Sequence, residues 1–193
     1  MVRPASNCDP ELYTSRILPL FVDALRRQPD PCLLDLGLTC GGNIHFFARQ
    51  VAKVYLCDLL TALDRLLRQG PPLARLWEHF DYPAASFDGI LFWDLLDHLD
   101  NDGSDGLIEI SQTLLRPKGV VMFVARDEHS SKRVPQAFAI AEEFQLHLRA
   151  QSHLSLPVHH RHNRDILTLM GAFTLVKSFI YRNGLREYLF QLI

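Results

Sequence analysis

The sequence predicts a doubly wound α/β sheet, mostly parallel, and three observations carry that expectation. Short apolar runs bounded by turn residues alternate with helical stripes between residues 32 and 125. The run Cys32-Leu-Leu-Asp35 ends in a carboxylate. A turn bearing Gly37, Gly41 and Gly42 follows, and then a helical stretch, Ile44-His-Phe-Phe-Ala-Arg-Gln50. Finally, two C-terminal strand-like runs flank Asn183-Gly184, a strong hairpin signal, so the sheet should close with an antiparallel strand.

The elements follow in order. Asp9 fits as the cap of a helix from Pro10 that buries Leu12, Ile17, Leu18, Phe21, Val22 and Leu25. Pro19 inside it predicts a kink or two short helices, so residues 1–31 read as N-terminal helices. Strands are expected at 32–36 and 53–57, with a helix at 43–51 between them. Helix 59–69 is stopped by Gly70-Pro71-Pro72. Residues 73–82 fit either a helical stripe (Leu73, Leu76, Trp77, Phe80) or a short strand. Phe87–Trp93 reads as a buried strand, 101–106 as a loop and 105–115 as a helix. Arg116–Gly119 reads as a turn before a buried strand over 120–125. Beyond a polar stretch at 126–134, Phe138, Ile140, Ala141, Phe144 and Leu148 predict an amphipathic helix over 135–150. A His-rich loop follows, then a helix over 164–171 capped by Asn163, and strands at about 173–181 and 185–192. No repeat or linker interrupts the chain, so residues 1–193 are expected to form one domain.

The 193 residues suffice for one sizeable core. The net charge of −2 argues against nucleic acid as the main partner. No apolar run approaches the ~18 residues of a membrane span, and the N-terminus lacks the apolar core of a signal peptide. Cys8, Cys32, Cys40 and Cys57 form no CxxC pair and read as reduced thiols, which points to the cytoplasm. Asp58, ending the second strand, can accept hydrogen bonds from ribose hydroxyls, so the chain is expected to bind a nucleoside-bearing cofactor. Asp58 also fits as the cap of helix 59–69, and one carboxylate can serve both roles.

Four segments resemble the class I S-adenosylmethionine-dependent methyltransferases. Asp35-Leu-Gly37-Leu-Thr39-Cys-Gly41 is similar to their acid-x-Gly-x-Gly-x-Gly motif, with Thr39 in place of the middle glycine. Asp58 matches the acid that ends their second strand. Ser86–Leu99 resembles the fourth-strand segment, and Leu114-Leu-Arg-Pro-Lys-Gly-Val-Val-Met-Phe123 the turn and fifth strand. The resemblance implies a Rossmann-like, seven-stranded sheet and S-adenosylmethionine as cofactor. It implies cofactor contacts from Asp35, Gly37, Thr39, Gly41, Asp58 and Trp93, with Asp81 the nearest candidate for the adenine amino group. Local charge agrees: no Lys or Arg stands between Pro31 and Phe47 to meet a pyrophosphate, whereas two carboxylates suit a cationic ligand.

Asp94 or His98, after the fourth strand, is the candidate general base for a hydroxyl substrate, and His98 also fits a purely structural role. The sequence there is not Asn/Asp-Pro-Pro-Tyr, which disfavours transfer to a nucleobase amine. His153, His159, His160 and His162 have no carboxylate or cysteine at ligand spacing, so no metal is expected. The resulting expectation is methyl transfer to a small molecule, with residues 126–162 as the substrate cover. The alternative is a methyltransferase-like domain without catalysis, serving as partner or scaffold in an assembly; Thr39 and the contracted third-strand region motivate it.

Overall fold

The computed structural model describes residues 11–70, 72–126 and 134–193. The first half runs β1 (Glu11–Thr14), α1 (Leu18–Arg26), β2 (Cys32–Asp35), α2 (Gly41–Phe47), β3 (Lys53–Leu56), α3 (Leu59–Gln69) and a 3-10 segment, Leu73–His79. Then come β4 (Phe87–Trp93), a 3-10 turn at Leu95–His98, α4 (Asn101–Leu114) and β5 (Leu115–Arg126). The chain closes with β6 (Gln136–Ile140), β7 (Gln145–Ala150), α5 (Asn163–Leu169), β8 (Phe173–Ile180) and β9 (Leu185–Leu192).

The main sheet has the order β3-β2-β4-β5-β9-β8. Strands β2 to β5 are parallel, and β9 runs antiparallel to both β5 and β8. Both faces are covered. Phe21 and Leu25 of α1 and Phe47 of α2 pack with Leu33, Leu91 and Met122 on one side. Leu63 of α3, Leu107 of α4 and Ile166 of α5 pack with Leu34, Phe92 and Phe123 on the other. Burial on both faces explains why β4 is buried throughout and apolar from Gly89 to Trp93 rather than alternating.

Among the described residues the main sheet has six strands, not seven. Residues 73–79, where a third strand of the motif order would fall, form a 3-10 segment instead. Its side chains press into α4: a Cβ on Gly106 would lie 2.8 Å from Trp77 Nε1, and one on Gly103 2.7 Å from Leu73 Cδ2. The two glycines thus admit Leu73 and Trp77 against the helix. This also corrects the loop expected over 101–106, which is the first turn of α4, capped by Asp100 accepting from the Gly103 N–H at 2.8 Å. Without the extra strand β3 is an edge, with Tyr55 38% and Leu56 39% exposed.

Two further expectations are corrected. The first described element is a strand, and α1 starts only at Leu18, so Pro19 occupies the first helical turn and causes no kink. The helix expected over 135–150 is the hairpin β6–β7, which joins β1 in a second, antiparallel sheet ordered β1-β7-β6. Phe138, Ile140, Leu146 and Leu148 point inward with strand period and pack against Ile17 and Trp93. Helical spacing through Phe138, Ala141, Phe144 and Leu148 lost to a better alternative: β1 offers β7 a full ladder. Smaller shifts occur elsewhere. His162 rather than Asn163 caps α5, and Asn163 Oδ1 accepts from the Tyr188 hydroxyl at 2.9 Å. Asp9, Pro10, Pro71, Cys8 and residues 127–133 lie outside the described residues.

Candidate functional site

Strand β2 is the point where the sheet's order reverses. Its chain successor β3 lies on one side and β4 on the other. Loops leaving β2 and β4 therefore diverge and leave a crevice at their C-terminal ends, the position where open α/β sheets bind ligands. The Asp35–Gly42 turn, Asp58, Trp93 and Asp94 all sit at this edge.

Asp35 ends β2 buried. Its Oδ1 accepts from the Gly37 N–H at 3.0 Å and from Trp93 Nε1–H at 2.8 Å. Burial pushes its pKa up to about 6 against these two donors. Trp93 ends β4 with φ at +53°, a conformation a bulky side chain adopts under strain. Its indole, 2% exposed, lies directly on Gly37: a Cβ there would stand 2.0 Å from Trp93 Cδ1. The indole stacks on Phe138 of β6, with centroids 5.2 Å apart and planes at 14°. Gly37 is thus required for room, since its φ is not positive.

The rest of the turn is open. Thr39 is exposed and outside the left-handed region, so the residue replacing the motif glycine is tolerated there. A Cβ on Gly41 would meet no atom within 4 Å. Asp58 is half-buried and caps α3: Oδ1 accepts from the Thr61 N–H and Oδ2 from the Thr61 hydroxyl, each at 2.9 Å. Each oxygen keeps a lone pair for another donor. Asp81 is not brought to this edge. It is exposed and precedes Tyr82, whose ring packs on Phe87, the first residue of β4, at the opposite end of the strand.

Asp94 and His98 do meet. His98 Nε2 lies 3.6 Å from Asp94 Oδ2, both residues buried. His98 Nδ1 lies 2.8 Å from the Pro157 carbonyl, which only accepts, so Nδ1 carries a proton. Nε2 is the ring nitrogen that faces Asp94. Burial lowers the His98 pKa, but the hydrogen bond and charge of Asp94 outweigh it and leave it raised. Asp94 Oδ2 also accepts from the Gln136 N–H at 3.1 Å, while its Oδ1 is buried without a partner. Asp97 Oδ2 accepts from the Arg126 N–H at 2.8 Å, and burial with the Asp94 charge pushes its pKa up to about 7.

Sequence reasoning did not single out the residue that pins the hairpin at this edge. Asn43 of α2 clamps β6: its Nδ2 donates to the Phe138 carbonyl at 2.7 Å and its Oδ1 accepts from the Ile140 N–H at 2.8 Å. A signal existed, since Asn43 stands four residues before inward-facing Phe47 on the same helix face, and a buried amide needs partners. Phe138 and Arg126 carried no such mark. The histidines of the 153–162 loop bring together no metal site, and among the described residues no group of three or more His, Cys, Asp or Glu does so.

A family model described as a methyltransferase domain matches residues 10–175. No curated protein matches the sequence significantly. Solved structures share the fold at low identity. An S-adenosylmethionine-dependent methyltransferase from Mesorhizobium loti has a TM-score of 0.61 at 15% identity, covering 92% of this chain and 98% of that one. Another from Clostridium acetobutylicum has a TM-score of 0.60 at 14% identity, covering 91% and 89%. The Burkholderia thailandensis 1,6-didemethyltoxoflavin-N1-methyltransferase, solved with its substrate and S-adenosylhomocysteine, has a TM-score of 0.53 at 19% identity, covering 90% and 76%. The family match spans most of the chain and includes every element of the switch-point crevice, and the chain accordingly belongs to the methyltransferase domain family.

Proposed function

We propose that this protein binds S-adenosylmethionine in the crevice at the C-terminal ends of β2, β3 and β4 and transfers its methyl group to a small-molecule acceptor. The observation that carries the reading is the placement of the Gly37–Gly42 turn and Asp58 on adjacent parallel strands at the switch point. The residues present fit the cofactor at Asp58 and crowd it at Gly37. Asp58 offers lone pairs to ribose hydroxyls beside the open space at Gly41. At Gly37 the Trp93 indole fills the space against the turn, and a cofactor held there would need the ring to turn away.

When bound, the cofactor supplies an electrophilic methyl on a sulfonium. The chain supplies the rest. The β6–β7 hairpin, pinned by Asn43, covers the crevice and excludes water. Asp94 is the group with a free oxygen to take a proton from the acceptor, and His98 holds it in place through the other oxygen. The main contribution is alignment of acceptor and methyl at near-attack distance.

Calorimetric titration with S-adenosylhomocysteine tests the reading. Wild-type protein should bind it. Asp58→Ala should weaken binding about 10- to 100-fold, as expected for loss of a hydrogen bond to a charged group worth roughly 1.5–3 kcal/mol. Absence of binding by wild-type protein and by Trp93→Ala alike would overturn the cofactor assignment and leave a domain that serves as a partner in an assembly.

A further inference from the structure

At the C-terminal edge of the sheet lie buried polar atoms, of which the proposed function uses only Asp94 Oδ1. Asp94 Oδ1 is a buried acceptor without a donor. Arg126 Nη2 and Arg186 Nε are buried donors without acceptors, on side chains of residues 5% and 6% exposed. Among the described residues, neither guanidinium has a carboxylate within 4.0 Å. Buried guanidiniums without an anion are costly to keep, and buried acceptors without a donor likewise.

The nearby carboxylates are already engaged. Glu187 faces the same side of the ladder as Arg126, two residues from the Arg126–Leu185 pair. Its Oε1 accepts from the Tyr13 hydroxyl, and its Oε2 from the Tyr181 hydroxyl and the N–H groups of Arg16 and Ile17. Asp97 accepts from the backbone of Arg126, not from its side chain. Arg186 is fixed by Nη2, which donates to the carbonyls of Arg126 and Arg161.

Asp94 and Arg126 close the C-terminal ends of the neighbouring strands β4 and β5, and Asp94 is bonded to the first residue of β6. An acceptor that reached both would meet a buried oxygen without a donor at one end and a buried guanidinium N–H without an acceptor at the other. We infer that the methyl acceptor is a small carboxylate that also bears a hydroxyl or amine: the carboxylate sits on Arg126, and the O–H or N–H faces Asp94 Oδ1. This rests on the methyl-transfer reading and names its substrate class. In the transfer the acceptor's lone pair forms the new bond to methyl, the sulfur–methyl bond breaks with its electron pair staying on sulfur, and the acceptor's proton passes to Asp94. A carboxylate suits the site because its planar pair of oxygens matches a guanidinium and carries a single charge.

The test is calorimetric titration of the free and the S-adenosylhomocysteine-saturated protein with 4-hydroxybenzoate and 3-hydroxybutyrate, each against its uncharged amide and with phenyl phosphate as a third arm. At least one carboxylate should bind at least 10-fold more tightly than its amide. Arg126→Met, which keeps the apolar stem, should abolish that preference while changing S-adenosylhomocysteine affinity less than twofold. The comparison of carboxylate and amide on wild-type protein stands even if the variant does not fold. Carboxylates that bind no better than amides, a preference unchanged in a folded Arg126→Met, or tighter binding of phenyl phosphate would each overturn the inference. Failure of S-adenosylhomocysteine itself to bind counts against the cofactor reading and is scored separately.

Discussion

At the scale of single residues, the site is organised by the contact between Gly37 and Trp93. The indole is held by Gly37, by the stacked Phe138 ring, and by Asp35 at its N–H. Gly37→Ala places a methyl group 2.0 Å from Trp93 Cδ1 and must displace the ring. The expected cost is at least ~1–3 kcal/mol, the usual range for overpacking. Trp93→Leu removes the obstacle, so the double variant should be more stable than the sum of the single changes by ~0.5–3 kcal/mol. Urea unfolding of the four proteins measures this. Strictly additive changes would mean that the indole does not rest on Gly37. Thr39, by contrast, projects into solvent, and the departure from the motif that looked most damaging in the sequence carries no steric consequence for this turn.

At the scale of elements, the hairpin β6–β7 decides how the crevice is closed, and Asn43 decides where the hairpin sits. Asn43→Ala removes two hydrogen bonds and leaves a buried carbonyl and a buried N–H of β6 unpaired. Each such group costs ~1–3 kcal/mol, so a loss of roughly 2–6 kcal/mol in unfolding free energy is expected. Amide exchange separates this from general weakening: the Ile140 N–H should lose protection well before the amides of β4. Equal loss in both strands would count against a specific clamp. The same hairpin marks the limit of what the sequence discloses. The parallel strands were legible because burial on both faces writes apolar runs such as Phe87–Trp93, and the acids Asp35 and Asp58 mark where those runs end. The hairpin was not legible, because its apolar residues satisfy two periods at once and the choice depends on β1, more than 120 residues away in sequence. Arg126 stayed hidden for a similar reason. Its importance lies in missing a partner, and only the folded arrangement shows which carboxylates are already taken. The position of Trp93 at the end of β4 marks it as a ligand contact in the sequence, and its packing on Gly37 and Phe138 appears only in the fold.

At the scale of the whole molecule, the C-terminal edge of the sheet concentrates ionisable groups in a dry environment, and this sets a pH dependence of stability. Burial raises the pKa of Asp97 to about 7, with the Asp94 charge adding to it, and raises that of Asp35 to about 6. A carboxyl group with a raised folded pKa binds its proton more tightly in the folded chain than in the unfolded one. Its contribution to stability is full below the unfolded value near 4 and is lost as pH climbs through the folded value. His98 acts in the same sense, because its folded pKa is also raised, with Asp94 outweighing burial. Asp64 acts in the opposite sense, its pKa lowered by the Ser155 N–H and Arg68 against burial, but Arg68 is exposed and such pairs contribute little. At about 1.4 kcal/mol per pKa unit, Asp97 alone is worth on the order of 4 kcal/mol between pH 4 and 7. The protein should therefore melt several degrees higher at pH 5 than at pH 8. Asp97→Asn keeps an oxygen for the Arg126 N–H and removes the charge, so it should raise the melting temperature at pH 8 and flatten the profile. A wild-type melting temperature that rises from pH 5 to pH 8, or an Asp97→Asn profile as steep as that of the wild type, would show that these carboxyls are not held in the dry cluster that also frames Asp94 and Arg126.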